Sequence, residues 1–137
     1  MISSQDNNQE LQSEKGILVI HEDAFHREMI ALSLTRNGYV GIFVVPSVEK
    51  ALEVLETVKP AVVVLSDGVL TANGASVGQK VRDAAGSVTK IIVLGDGRDM
   101  DSRERATQIN ADAFAERSPD SFSHYAHLLR SIQGFIR

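Results

Sequence analysis

Residues 59–77 have the sequence KPAVVVLSDGVLTANGASV, and this stretch decides the fold. Five aliphatic residues at 61–65 predict a buried strand that ends at Ser66. Strands that are apolar on both faces are typical of parallel sheets covered by helices. Segment 68–74 contains glycine and asparagine and predicts a loop, whereas the small residues of 75–84 predict a helix. The stretch is therefore one strand, loop and helix unit of an α/β fold.

Units of the same kind flank this stretch on both sides. Apolar runs predict strands at residues 17–20, 40–45, 91–94 and 111–115. Helical spacing predicts helices at 25–37, 48–58 and 102–108, and a last helix that opens at Ser118-Pro119-Asp120. The apolar positions at this spacing are Phe25, Met29, Ile30, Leu32 and Leu34 in the first helix and Phe122, Tyr125, Leu129, Ile132 and Ile136 in the last. Together these units predict an open, doubly wound parallel sheet.

Length and composition limit the classes of protein that the chain can belong to. Its 137 residues, 43% of them hydrophobic, fit one domain, and the absence of cysteine excludes disulfides and zinc-thiolate sites. A net charge of -4 argues against nucleic-acid binding. Residues 1–15 are polar and predict a flexible leader before a domain at 16–137. No apolar stretch approaches the roughly 20 residues that span a bilayer, so we expect a cytoplasmic protein without membrane insertion.

Residues that directly follow the strands are the candidates for function. In open α/β sheets, ligands bind at the carboxyl ends of the strands, beside the point where the strand order reverses. The residues in these positions are His21, Glu22 and Asp23; Ser66, Asp67 and Gly68; Gly95, Asp96 and Gly97; and Glu116, Arg117 and Ser118.

Several motifs, taken in order, resemble the receiver domain of bacterial two-component response regulators over residues 16–137. They are the strand ILVI followed by acids, Arg27 six residues past His21, RNGY at the end of the first helix, the stretch 59–77, KIIVLGDG and NADAFAERS. The resemblance implies a flavodoxin-like, five-stranded parallel sheet with strand order 2-1-3-4-5. It also implies a place in two-component signalling or a phosphorelay.

The same resemblance implies a phosphorylation site whose chemistry is missing. The family uses an acidic pair that holds Mg²⁺, a nucleophilic aspartate, a switch hydroxyl and a lysine. These positions fall on His21 and Glu22, on Ser66, on Gly95 and on Arg117. The proline after the lysine becomes Ser118, and the proline of the loop after the acceptor becomes Leu70; Glu22 and the aromatic Phe114 remain close to type.

Each departure changes the chemistry of the site. A serine hydroxyl is not ionised at neutral pH, so it needs a base before it can attack, and it offers no charge to a hard cation. Glycine removes the switch hydroxyl, and the planar guanidinium of arginine is not equivalent to an ammonium. We therefore expect an atypical receiver that is not an enzyme, binds no cofactor or metal, and acts as a phosphorylation-independent protein-interaction module.

The expected partner is a separate signalling protein or another copy of the chain. In receivers the fourth helix, fifth strand and fifth helix commonly form the partner face, which implies a set of exposed candidates. They are Arg103, Arg105, Arg117, His124 and His127. His124 and His127 are three residues apart and could share a metal, but solvated helix positions explain them better, and a local hydrogen bond explains His21 better than a metal does.

Two other functions remain open at the level of sequence. A shift of one residue would make Asp67 the phosphoacceptor, with Glu22 and Asp23 as the acidic pair for Mg²⁺. Because consecutive strand residues face opposite sides, Asp67 would then point away from the site unless the strand end bulges. The second alternative is a small-ligand sensor with a pocket at the same strand ends, since a fold alone does not fix a function.

Overall fold

The computed structural model describes residues 16–74, 76–96, 98–117 and 125–136. Within them the chain alternates strands and helices: β1 Ile17–Ile20, α1 Ala24–Arg36, β2 Ile42–Val45, α2 Val48–Leu55, β3 Val62–Ser66, α3 Asp67–Asn73, α4 Ser76–Ala85, β4 Lys90–Gly95, α5 Met100–Gln108, β5 Ala113–Glu116 and α6 Ala126–Phe135. The predicted leader 1–15, the predicted helix start at Ser118-Pro119-Asp120, and the candidates Phe122 and His124 lie outside these residues.

The strands form one parallel sheet in the order β2-β1-β3-β4-β5. This confirms the predicted fold class and strand order. A crossover helix follows each of the first four strands, and in such a sheet the carboxyl ends of β1, β3 and β4 meet at the point where the order reverses. The residues after these strands are therefore brought together at one edge of the sheet.

Alternating strand residues supply two apolar cores, one on each face of the sheet. Leu18, Val63 and Ile91 pack on the side covered by α2, α4 and α5, whereas Val19 and Val64 pack on the side covered by α1 and α6. Both faces are apolar because both are covered, which is why these strands contain no alternating polar residues. Among the described residues, no helix is both long enough and apolar enough to cross a membrane.

Segment 68–74 was predicted as a loop, and that prediction is wrong. Residues Asp67–Asn73 form helix α3, and Ser66 is its N-cap, with its hydroxyl accepting the Gly68 N–H at 3.1 Å. The cap satisfies a backbone donor of the first turn, and Val69 and Leu70 bury one face of the helix. The glycine and asparagine that suggested a loop lie within a short helix stabilised by packing.

Helix α1 is apolar on two sides. Ile30 and Leu34 are fully buried, as the helical spacing predicted. Phe25, Met29 and Leu32 occur at the same spacing, yet they are 63%, 38% and 43% exposed. In and directly beside α6, Tyr125, Ile132 and Ile136 are buried as predicted, whereas the predicted Leu129 is only partly buried. Leu128 is buried without having been singled out from the sequence.

Candidate functional site

A pocket of about 240 Å³ lies at the carboxyl ends of β1, β3, β4 and β5. All five positions that the sequence assigned to the degenerate phosphorylation site line this pocket, so the fold brings them together. The lining residues are His21, Glu22, Ser66, Asp67, Gly68, Leu94, Gly95, Asp96 and Arg117. The geometry of each group shows which chemistry remains available there.

The Ser66 hydroxyl both donates and accepts a hydrogen bond. The Ser66 hydroxyl donates to Glu22 Oε1 at 2.8 Å and accepts the Gly68 N–H at 3.1 Å. The residue is only 4% exposed. A Cβ atom on Gly68 would overlap the Glu22 carboxylate, so Glu22 lies directly against the backbone of the first turn of α3. Glu22 is thus held by the Ser66 hydroxyl and packs against the start of α3.

His21 forms a local hydrogen bond, as the sequence suggested. Its ring is 7% exposed, and Nδ1 accepts the Asp23 N–H at 3.1 Å. Burial lowers the pKa of His21, and the nearby Glu22 carboxylate, whose Oε1 lies 3.1 Å from Nδ1, opposes this only in part. The described residues contain no group of three or more histidine, cysteine or acidic side chains that could hold a metal ion.

Gly95 has no room for a side chain. A Cβ atom at this position would overlap Ser102 Oγ and would lie 3.0 Å from the edge of the Phe114 ring. Ser102 is fully buried in α5, and its hydroxyl has no hydrogen-bond partner within the described ranges. Ser102 therefore fills the space that a switch hydroxyl at position 95 would need.

The sequence motifs gave no sign of Ser102. The available signal was the phase of α5, in which Ser102 and Ala106 lie four residues apart on the same side of the helix and are both buried. Two small residues at that spacing indicate a close approach of the helix to the sheet.

Asp67 and Arg105 form a two-pronged ion pair that links α3 to α5. Arg105 Nε and NH2 donate to the two carboxylate oxygens of Asp67 at 2.7 and 2.6 Å. The Asp67 hydrogen bond raises the pKa of Arg105, and Asp99 lies 3.6 Å from the same guanidinium. The expectation that Arg105 is exposed is wrong: its side chain is 28% exposed and that of Asp67 is 14% exposed.

Arg117 lies near α1. Its NH1 is 3.1 Å from His26 Nε2, and His26 Nδ1 is 2.6 Å from Tyr125 Oη. Because a guanidinium can only donate, a hydrogen bond between the two groups requires Nε2 to be the acceptor. Arg117 and Tyr125 thus lie on either side of the His26 ring.

The proposed partner face is partly used for internal contacts. Arg103 is exposed, forms an ion pair with Glu116, and stands 5.0 Å from the centre of the Phe114 ring. His127 Nδ1 accepts the Glu116 N–H at 2.9 Å, and the residue is half-buried. A solvated position was expected for His127, and that expectation is wrong because β5 lies against it.

Compared with known protein structures, the chain resembles receiver domains. It matches a chemotaxis response regulator of Vibrio cholerae at a TM-score of 0.72 and 16% identity, covering 88% of this chain and 98% of that one. The receiver domain of a response regulator from Bermanella marisrubri matches at 0.70 and 24% identity, covering 90% and 98%. The chain has the receiver fold.

A third match comes from a sensor histidine kinase. The receiver domain of this kinase from Pseudomonas aeruginosa holds a magnesium ion in its active-site cleft. It matches at a TM-score of 0.70 and 19% identity, covering 88% of this chain and 96% of that one. No family model and no curated protein matches the sequence.

Proposed function

We propose that this chain is an atypical receiver domain in bacterial signalling that acts by protein–protein interaction and without phosphorylation. The receiver fold supports the general class. The finer proposal rests on one observation: Ser66 stands at the position of the acceptor and has its hydroxyl bonded to Glu22, the single acid kept from the metal-binding pair. Within the pocket, the Ser66 hydroxyl and the Glu22 carboxylate are therefore bonded to each other.

The residues at the acidic-pair and acceptor positions also argue against Mg²⁺ chemistry. Mg²⁺ is usually held by one or two carboxylates together with phosphate oxygens and water. Ser66 contributes no charge, His21 is a poor ligand for so hard a cation, and Glu22 already accepts the serine hydroxyl. Without a bridging cation, phosphoryl transfer loses its main electrostatic stabilisation. The chain is therefore proposed to be neither an enzyme nor a metal-dependent acceptor.

A titration with beryllofluoride and Mg²⁺, followed by amide NMR, tests this proposal. Beryllofluoride mimics a phosphoryl group on an acceptor carboxylate. We expect no saturable shifts at residues 66–68, because Ser66 cannot bind the mimic and Asp67 is held by Arg105. Asp67→Asn is the matched control, since it removes the alternative acceptor and changes one carboxylate oxygen to an amide.

Saturable shifts in the wild type that disappear in Asp67→Asn would overturn the proposal. They would favour the phosphoacceptor alternative, in which Asp67 acts with Glu22 and Asp23. Asp67 does line the pocket, so this outcome has a physical basis. Shifts that persist in Asp67→Asn would instead favour a small-ligand site at the strand ends, and a thermal-shift panel of nucleotides and metals would then identify the ligand class.

Partner binding is proposed for the exposed groups near β5. Arg103 and Arg117 are exposed there, although Arg103 pairs with Glu116 and Arg117 lies against His26, whereas Arg105 and His127 are only partly exposed. A partner would therefore reach the first two side chains more readily than the second two. The partner is proposed to be another signalling protein of the cytoplasm or a second copy of the chain.

A further inference from the structure

The outer side of α1 is an apolar stripe on a helix whose opposite side already packs on the sheet. A helix turns about 100° per residue, so Phe25, Met29 and Leu32 form one stripe on the side facing away from Ile30 and Leu34. Surface helices are normally polar on the side away from the core. The stripe is therefore more apolar than the outer side of a surface helix usually is.

Only two charged residues of α1 flank this stripe, and they are of opposite sign. Glu28 lies four residues before Leu32, Arg36 lies four residues after it, and both are exposed. Helical spacing places both residues on the outer side, beside the stripe. Leu32 therefore lies midway between an acidic residue and a basic residue on the outer side of the helix.

A surface with this arrangement is complementary to itself. If two copies pack their α1 helices antiparallel about a two-fold axis at Leu32, Glu28 of each copy lies opposite Arg36 of the other. A two-fold interface repeats every contact twice, so one acid and one base give two ion pairs. Phe25 would meet the region of Val40, which follows the helix and is 59% exposed, so the most exposed apolar groups at the two ends would cover each other.

We propose that the outer face of α1, formed by Phe25, Glu28, Met29, Leu32 and Arg36, is the surface through which two copies of this chain associate. The first fifteen residues are a poor alternative occupant, since their only apolar members are Met1, Ile2 and Leu11. This association does not depend on whether the pocket can be phosphorylated. The proposed dimer and the proposed function can therefore each fail without the other.

Sedimentation equilibrium of the full chain over a concentration series tests the association. The interface is small, so we expect the average mass to rise from monomer towards dimer with a dissociation constant on the order of 100 µM. Leu32→Asp places two carboxylates at the axis and should raise that constant at least about tenfold. Val88→Asp is the matched control, because Val88 is 87% exposed and lies outside the stripe, and it should leave the constant unchanged.

A charge exchange identifies the occupant as a second copy. Glu28→Arg alone and Arg36→Glu alone each place like charges opposite each other and should each weaken self-association. An equimolar mixture of the two variants restores both opposite-charge pairs, so the mixed dimer should form at least as tightly as the wild-type dimer. Circular dichroism of each variant checks that it is folded.

Two results would overturn the proposal. One is a wild-type chain that stays monomeric up to about 1 mM, which would assign the stripe to a different protein. The other is a mixture of the charge variants that associates no more tightly than either variant alone. Both results can be measured on protein that circular dichroism shows to be folded.

Discussion

Gly95 and Ser102 illustrate how single residues decide the chemistry of the site. The sequence alone predicts that position 95 has lost its hydroxyl, because the motif around β4 fixes the position. It cannot predict that Ser102 Oγ occupies the space beside Gly95, since this contact joins a strand end to a helix that starts five residues later. Motifs identify positions, whereas the space around a side chain depends on how the elements pack.

Replacing Gly95 by alanine should destabilise the protein. The added methyl group would overlap Ser102 Oγ, and overpacking of this kind costs about 1–3 kcal/mol. Urea unfolding measures the change in the free energy of unfolding. Gly134→Ala is the control, because a Cβ atom there meets nothing within 4 Å, and in helix α6 it should stabilise by about 1 kcal/mol.

Substitution of Ser102 should have the opposite effect on stability. Ser102→Ala removes a buried hydroxyl to which the described residues offer no hydrogen-bond partner, so it should be neutral or stabilising by about 1 kcal/mol. The double variant Gly95→Ala with Ser102→Ala should recover stability relative to Gly95→Ala, because the overlapping oxygen is gone. Additive effects of the two changes would contradict the contact.

The lowered pKa of His21 predicts how the free energy of unfolding depends on pH. Its pKa is lowered in the folded protein, mainly by burial, so the unfolded chain binds the proton more readily. Stability is therefore fully present above the ordinary histidine pKa and is lost as the pH falls through that value towards the lowered pKa. We expect the urea midpoint to fall between about pH 7.5 and 5.5.

His21→Asn isolates this contribution. Asparagine can still accept the Asp23 N–H but cannot be protonated in this range, so the variant should lose part of the pH dependence. Identical pH profiles for the wild type and the variant would contradict the role of His21. The difference between the two profiles removes the contributions of the other histidines.

The elements themselves were predictable to different degrees. β1 was predicted to the residue, and α4 was displaced by one residue at each end, since long apolar or small-residue runs indicate buried elements. Helix α3 was missed because it depends on the Ser66 cap and on burial of Val69 and Leu70, and composition favoured a loop. The orientation of α3 determines how it contacts α5, because Asp67 in the first turn of α3 binds Arg105 of α5.

Arg105→Ala should loosen α5 from α3. It leaves the half-buried Asp67 carboxylate without its cation, which should cost about 1–3 kcal/mol in the free energy of unfolding. Hydrogen exchange should show faster exchange in both helices. The matched control is Arg98→Ala, which breaks the ion pair of Arg98 with Asp96 at an exposed turn and should change little. Equal effects of the two variants would contradict a structural role for the Asp67–Arg105 pair.

At the scale of the whole molecule, the repeated units predicted a doubly wound parallel sheet and the resemblance to receivers predicted its strand order. Neither predicted which side chains are exposed. Periodicity alone could not tell the buried side of α1 from its outer side, because apolar residues occupy both. Which side packs on the sheet depends on where β1 and β2 direct the chain. The same uncertainty applies to Arg105 and His127, which the resemblance to receivers placed on an exposed partner face and which are only partly exposed in the fold.

The overlap between a Cβ atom at position 95 and Ser102 Oγ makes substitutions at these two positions depend on each other. A hydroxyl introduced at position 95 in one mutational step would give an overpacked, destabilised protein. If Ser102 is first replaced by alanine, the overlapping oxygen is gone and the same change becomes permitted. The order of the two substitutions therefore decides whether the intermediate protein is destabilised.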